Sequence, residues 1–213
     1  MTESRPTPRK VWEEMMRGNA RFVAGEPSHP RQDVERRHEL ASAQTPRAAL
    51  FGCSDSRLAA EIIFDKGLGD LFVVRNAGQV ISDSVIGSLE YAVAVLDVSL
   101  IVVLGHDECG AVRAAIDSAS LDAPVLPANI WRQIAPIVPA VRRVLSAEGT
   151  TAEKVDAELV GREHLRETVA ELLRASDLIN RAVTEGRLAI VGANYRLAEG
   201  TAVPDIVFGA VGA

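Results

Sequence analysis

Short apolar runs that alternate with longer helical segments constrain the fold of this chain more than any other feature. The helical segments have apolar residues recurring every three to four positions. The runs are short and mostly apolar, and they cover about 47–53, 71–74, 99–105 and 188–192; the run over 99–105 is almost wholly β-branched residues or leucine. Buried strands alternating with helices are typical of βαβ units. The sequence therefore predicts an α/β fold with a central, mainly parallel sheet flanked by helices.

The strand order and the remaining elements are predicted more coarsely. We adopt the order 2-1-3-4 as a hypothesis, because it is common in doubly wound sheets. A fifth strand is predicted at an edge over 202–208, where Pro204 lacks a backbone donor. Helices are predicted over 8–24 and over 152–184, the second kinked at Gly161.

Composition limits the classes of protein to consider. The chain has 213 residues and 47% hydrophobic residues, which predicts a single domain over 1–213. A net charge of −6 argues against a nucleic-acid partner. No apolar run reaches the roughly 18 residues of a membrane span, and the N-terminus shows no apolar leader. We therefore expect a cytoplasmic protein with no membrane partner.

Both cysteines of the chain directly follow predicted buried strands. Cys53 opens the stretch Cys53-Ser54-Asp55-Ser56-Arg57, and Cys109 lies three residues after His106, at the end of the run over 99–105. Ligands of doubly wound sheets bind beyond the carboxyl ends of strands, where the strand order reverses. Strands 1 and 3 flank that reversal in the order 2-1-3-4. The fold alone can therefore bring Cys53, His106 and Cys109 into one crevice.

Two thiolates and one imidazole suit Zn²⁺ and leave its fourth position open, as in catalytic zinc sites. Asp55 could take that fourth position, and Arg57 could hold Asp55 away in a bidentate pair. From the residues alone, other interpretations stay open. The cysteines could be two buried thiols or a disulfide, His106 and Asp55 could cap helices, and Arg57 could be a surface residue.

Taken together, these residues resemble the β-class carbonic anhydrases. The resemblance covers about residues 8–210 and rests on four motifs in the same order as in that family. The motifs are Cys53-Ser54-Asp55-Ser56-Arg57, Arg75-Asn76-Ala77-Gly78, Glu90-Tyr91-Ala92-Val93 and Gly105-His106-x-x-Cys109-Gly110.

The resemblance implies an activity and a role for each site residue. The activity is reversible hydration of carbon dioxide to bicarbonate and a proton by zinc-bound hydroxide. One Zn²⁺ per chain would be held by Cys53, His106 and Cys109. Asp55 would pair with Arg57 in an active form or bind zinc in a closed, inactive form. Three further residues would bind the substrate, namely Gln44, Phe72 and Tyr91.

The resemblance also implies an assembly. A helical arm over 1–45 would pack on a partner subunit and precede an α/β core over 46–213, in a homodimer or homotetramer. Some substrate-binding residues would reach across the subunit interface. A regulatory bicarbonate pocket of some members matches Arg75 and Tyr195, but Leu50 stands at the position of its tryptophan.

Two alternative functions use the same zinc ligands. One is hydrolysis of carbon disulfide or carbonyl sulfide, and the other is a non-catalytic zinc domain that assembles with partners. A nucleotide-binding domain is excluded, because no Gly-x-Gly-x-x-Gly or Gly-Lys-Ser/Thr loop follows the first strand.

Overall fold

The computed structural model describes residues 5–120, 122–123 and 125–211. Its centre is a sheet ordered β2-β1-β3-β4-β5. The first four strands are parallel, and β5 runs antiparallel to β4 at one edge. The predicted order 2-1-3-4 and the fifth strand at an edge are therefore confirmed. The strands are β1 Ala48–Cys53, β2 Leu71–Asn76, β3 Leu100–His106, β4 Ala189–Arg196 and β5 Thr201–Phe208.

Helices cover both faces of this sheet. One face packs mainly against α1, α5 and α7, and the other against α4, α8 and α9. Within the described ranges, no helix combines the length and apolar character needed to cross a bilayer. The helices are α1 Pro8–Val23, α2 Val34–Glu39, α3 Ala60–Ile63, α4 Asp83–Ala94, α5 Gly110–Asp117, α6 Ala128–Ile134, α7 Val138–Glu148, α8 Ala157–Ala175 and α9 Asp177–Thr184, with a 3-10 turn at Ala135–Ile137.

The single long helix predicted over 152–184 is wrong. Ser176 has extended backbone angles (φ −129°, ψ 103°) and separates α8 from α9, whereas Gly161 lies within an unbroken α8. The Ser176 hydroxyl accepts a hydrogen bond from the backbone N–H of Ile179 at 3.1 Å and donates one to Glu90 at 2.6 Å. The chain therefore breaks at Ser176 because this side chain caps α9 and contacts Glu90 of α4. The position of the glycine at 161 does not decide it.

Helix α1 packs closely on its own chain. A Cβ atom at Gly18 would lie 1.9 Å from the carbonyl oxygen of Phe64, so only glycine permits this approach. The buried Asn19 amide donates to the carbonyls of Ile63 at 3.1 Å and Gly200 at 2.8 Å. These contacts tie α1 to α3 and to the turn before β5. The helix therefore contributes to the core of its own subunit.

Candidate metal centre

The carboxyl ends of β1 and β3 bring the two cysteines and one histidine together. Cys53 is the last residue of β1, His106 is the last residue of β3, and Cys109 occupies the N-cap position of α5. The two strands are parallel neighbours, so they end at the same edge of the sheet. One ligand atom from each of the three side chains lies within 4.8 Å of the other two, and all three residues are buried.

The hydrogen bonding of His106 prepares one ring nitrogen for a metal. Its Nδ1 lies 2.7 Å from the carbonyl oxygen of Asp107. Because a carbonyl can only accept, Nδ1 carries the proton and Nε2 keeps a free lone pair. Nε2 is buried and has no hydrogen-bond partner in the described part of the chain. A buried acceptor without a partner is costly, and a metal ion beside two thiols removes that cost. The donor set therefore fits Zn²⁺.

The two cysteines are free thiols, which distinguishes this site from a disulfide. A hydrogen bond from Cys109 lowers the pKa of Cys53 to about 4, and the backbone N–H of Gly78 adds a second donor at 3.3 Å. The hydrogen bond to Cys53 and burial raise the pKa of Cys109. Without metal the pair therefore shares one proton, and a bound cation would release it.

Asp55 faces Arg57 and does not join the three donors. The Arg57 guanidinium donates from Nε to Asp55 Oδ1 at 2.9 Å and from Nη2 to Oδ2 at 2.7 Å. The backbone N–H of Arg57 donates to the same carboxylate at 2.9 Å. The side-chain hydrogen bonds from Arg57 hold the pKa of Asp55 well below its usual range. The carboxylate is therefore ionised and engaged by Arg57, and in this conformation it would not serve as a fourth metal ligand.

Arg75 supports the loop that carries these residues. Its Nε donates to the carbonyl oxygen of Cys53 at 2.9 Å, and its Nη2 donates to that of Asp55 at 2.6 Å. Sequence reasoning matched Arg75 only to a regulatory pocket. In the structure, Leu50 is part of the hydrophobic core and Arg75 anchors the turn after β1. Arg75 therefore helps to set the positions of the Cys53 and Asp55 backbones.

His164 is a second positioning residue that the sequence did not connect to the site. The residue is buried, and burial lowers its pKa, so the ring is neutral. Its Nε2 donates to the carbonyl oxygen of Gly78 at 2.7 Å, and the N–H of Gly78 faces the Cys53 sulfur. Gly78 has φ +79°, and a Cβ there would lie 2.8 Å from the Cβ of Ala111. His164 therefore holds the backbone of Gly78, whose N–H, in the preceding peptide group, donates to the Cys53 sulfur.

We expect replacement of His164 by leucine to weaken zinc binding by up to about 10-fold, the low end of the effect of losing a direct partner of a metal ligand, because His164 acts on Cys53 only through Gly78. Glutamine can still donate to Gly78, so His164→Gln should restore much of the affinity. Competition with a chromophoric chelator measures the zinc dissociation constant. Equal zinc affinity in the wild type and His164→Leu would contradict this role.

The three predicted substrate-binding residues lie apart from the metal cluster within one chain. Gln44 is exposed in the loop before β1. Phe72 and Tyr91 contact each other, with ring centroids 6.2 Å apart. Phe72 packs on the sheet face opposite the cluster that contains Cys53. Tyr91 is 47% exposed on α4.

The fold and the site together define a class of protein, an α/β metalloprotein with a buried Cys₂His centre beside an Asp–Arg pair. A family model described as carbonic anhydrase matches residues 48–202. Carbonic anhydrase 2 of Mycobacterium tuberculosis is 50% identical over 196 residues, covering 92% of this chain and 92% of that protein. The chain therefore belongs to the carbonic anhydrase family.

Solved structures place it in the β class. The β-carbonic anhydrase CcaA has a TM-score of 0.69 and 25% identity, covering 91% of this chain and 94% of that one. One of two tetrameric β-carbonic anhydrases from Sordaria macrospora shares the fold, with a TM-score of 0.70 and 24% identity, covering 94% of this chain and 100% of that one.

Proposed function

We propose that this chain catalyses the reversible hydration of carbon dioxide to bicarbonate and a proton, with one zinc ion held by Cys53, His106 and Cys109. The observation that supports it best is the buried Nε2 of His106, which has no hydrogen-bond partner among the described residues and lies beside two free thiols. Zinc, when bound, supplies an acidic water by lowering the pKa of that water to about 7.

The Asp55–Arg57 pair is proposed to orient the attacking water. Oδ1 of Asp55 accepts from both Nε and the backbone N–H of Arg57, whereas Oδ2 accepts only from Nη2 and keeps a lone pair for a further hydrogen bond among the described residues. An ionised carboxylate can accept a hydrogen bond from the water and aim its oxygen at carbon dioxide. The same carboxylate would close the site if it left Arg57 and bound zinc. Arg57 therefore keeps the site open.

Substrate binding is proposed to need a second copy of the chain. Gln44 would hydrogen-bond the substrate, and Phe72 and Tyr91 would supply an apolar wall to the partner's site. Strand β2 supports this assembly, because it forms an edge of the sheet while its apolar residues are only half-buried. Edges of this kind are normally covered. The Sordaria relatives are tetrameric, and we propose a homodimer or homotetramer here.

We further propose a cytoplasmic protein with one domain over 1–213, made of an N-terminal helical arm over 1–45 and a core over 46–213. Free thiols at both cysteines fit a reducing compartment. Because α1 already packs on its own core, the arm would reach a partner with its outer face.

Stopped-flow measurement of carbon dioxide hydration on protein of known zinc content tests the activity. We expect hydration in proportion to bound zinc, loss of activity after chelation, and recovery when zinc is restored. One zinc per chain without hydration would contradict the proposal. If that preparation hydrolysed carbon disulfide or carbonyl sulfide, the protein would be the alternative hydrolase. If it turned over none of these substrates, the protein would be a non-catalytic zinc domain.

A further inference from the structure

A second cavity lies at the end of the sheet opposite the metal centre. It has a volume of about 200 Å³ and is bounded by α1 and by the first residues of β1 and β2, Ala48 and Leu71. Cys53 ends β1, so the length of that strand separates this cavity from the metal cluster, roughly 17 Å at the usual rise per residue. The cavity is therefore a separate site.

The walls of this cavity are basic in a chain whose net charge is −6. Three of its cations are compensated by ion pairs, namely Arg31 with Asp70, Arg47 with Glu14 at 3.0 Å, and Arg21 with Asp65 at 2.6 Å. No ion pair involves the other two, Arg17 and Lys66, among the described residues. The five cations are paired with three carboxylates, so the described walls carry two uncompensated positive charges. The cations are Arg17, Arg21, Arg31, Arg47 and Lys66.

Lys66 is the most informative of these cations. Its ammonium has three donors, but its one hydrogen bond among the described residues is to the carbonyl oxygen of Glu14, at 3.2 Å. Burial lowers the pKa of Lys66 and outweighs the nearby carboxylates of Asp70 and Glu14, which raise it, while the positive charges of Arg31 and Arg47 also lower it. Burying this ammonium therefore costs the folded state free energy. Among the described residues, the ammonium also keeps unused hydrogen-bond donors beside the cavity.

Arg31 is held rigidly at the mouth of the cavity. Its φ of +52° lies in the left-handed region, which is unfavourable for a residue with a side chain. A bidentate pair with Asp70 and a hydrogen bond from the N–H of Leu68 to the Arg31 carbonyl, at 3.0 Å, maintain this conformation. Backbone strain of this kind is often found at ligand sites. The guanidinium is therefore fixed before any ligand arrives.

We propose that this cavity binds a phosphate-type oxyanion, either inorganic phosphate or the phosphate group of a small metabolite. A dianion matches the two uncompensated charges, and its oxygens accept from the free donors of Lys66 and from guanidinium groups. An adjoining groove of about 960 Å³ shares Arg31 and Arg47 with the cavity. That groove offers room for the remainder of a phosphorylated molecule. This inference is independent of the proposed activity.

Isothermal titration of the zinc-loaded protein with inorganic phosphate, at constant ionic strength in chloride, tests the site. We expect saturable binding of one phosphate per chain and at least tenfold weaker binding in Lys66→Gln. Lys154→Gln, which removes an exposed lysine between α7 and α8, should bind like the wild type. Phosphate should raise the melting temperature of the wild type but not of Lys66→Gln. Without phosphate, Lys66→Gln should melt at the same temperature or higher, because a desolvated charge has been removed.

A titration with ribose 5-phosphate separates the two sources of the anion. Tighter binding than inorganic phosphate assigns the site to a phosphorylated metabolite that also occupies the groove, and equal binding assigns it to phosphate itself. Lack of saturable phosphate binding would overturn the proposal. Undiminished binding in Lys66→Gln would also overturn it, because the anion would then be bound elsewhere, including at zinc.

Discussion

Replacing Cys109 by serine is expected to empty the metal centre and abolish carbon dioxide hydration. A serine hydroxyl is not ionised near neutral pH and is a poor zinc ligand compared with a thiolate. Two donors, Cys53 and His106, would remain. The loss of one ligand should exceed the roughly 10- to 100-fold decrease in zinc affinity that follows loss of an outer partner. Atomic emission measures this loss directly as the zinc content per chain after dialysis.

Ser118→Ala is a suitable control for the cysteine change. Ser118 caps the C-terminus of the same helix, α5, and among the described residues its hydroxyl donates only to the carbonyl of Ala115. This variant should keep its zinc and its activity. Full zinc content in Cys109→Ser would mean that Cys109 is merely a packed thiol and that the metal has other ligands.

Replacing Arg57 by alanine is expected to abolish hydration while zinc stays fully bound. In the structure, Arg57 provides three hydrogen bonds to Asp55, two from its guanidinium and one from its backbone. The alanine variant loses the guanidinium, and with it the main competitor of zinc for the carboxylate. Asp55 should then move onto the metal and occupy the position that water needs. The expected result is full zinc content with hydration largely lost at all pH values.

A matched control for this change exists on the other side of the fold. Arg166 and Asp205 form a similar bidentate pair, at 2.7 and 3.0 Å, with a comparable exposure of the arginine. Arg166→Ala should therefore lose no activity. The double variant Arg57→Ala, Asp55→Ala should reopen the fourth position, although its hydroxide would lack a partner. Near-normal turnover of Arg57→Ala, or a crystal of it with water on zinc and Asp55 turned away, would refute the switch.

The strands of the sheet and the three candidate metal ligands were predictable from the sequence. Central parallel strands are buried on both faces, so they appear as continuous apolar runs, and β1 and β3 are buried along their whole length. Cys53 and His106 end those two strands, and Cys109 follows three residues after His106. Because parallel strands end at a common edge, these positions, together with the hypothesised order 2-1-3-4, predicted that the three residues converge. The catalytic roles of Asp55 and Arg57 stay predictions. So do the substrate-binding roles of Gln44, Phe72 and Tyr91.

Tertiary structure alone decided the features that depend on partners distant in sequence. His164 follows Gly78 by 86 positions, so no local pattern connects it with the Cys53 thiolate. The break between α8 and α9 depends on Glu90, a residue of α4 that contacts Ser176. The basic cavity forms where α1 crosses the start of β1 and β2, which brings Lys66 beside Arg31 and Arg47. Such contacts depend on how the helices and strands pack together. The spacing of apolar residues along the sequence shows only which face of each helix or strand is buried.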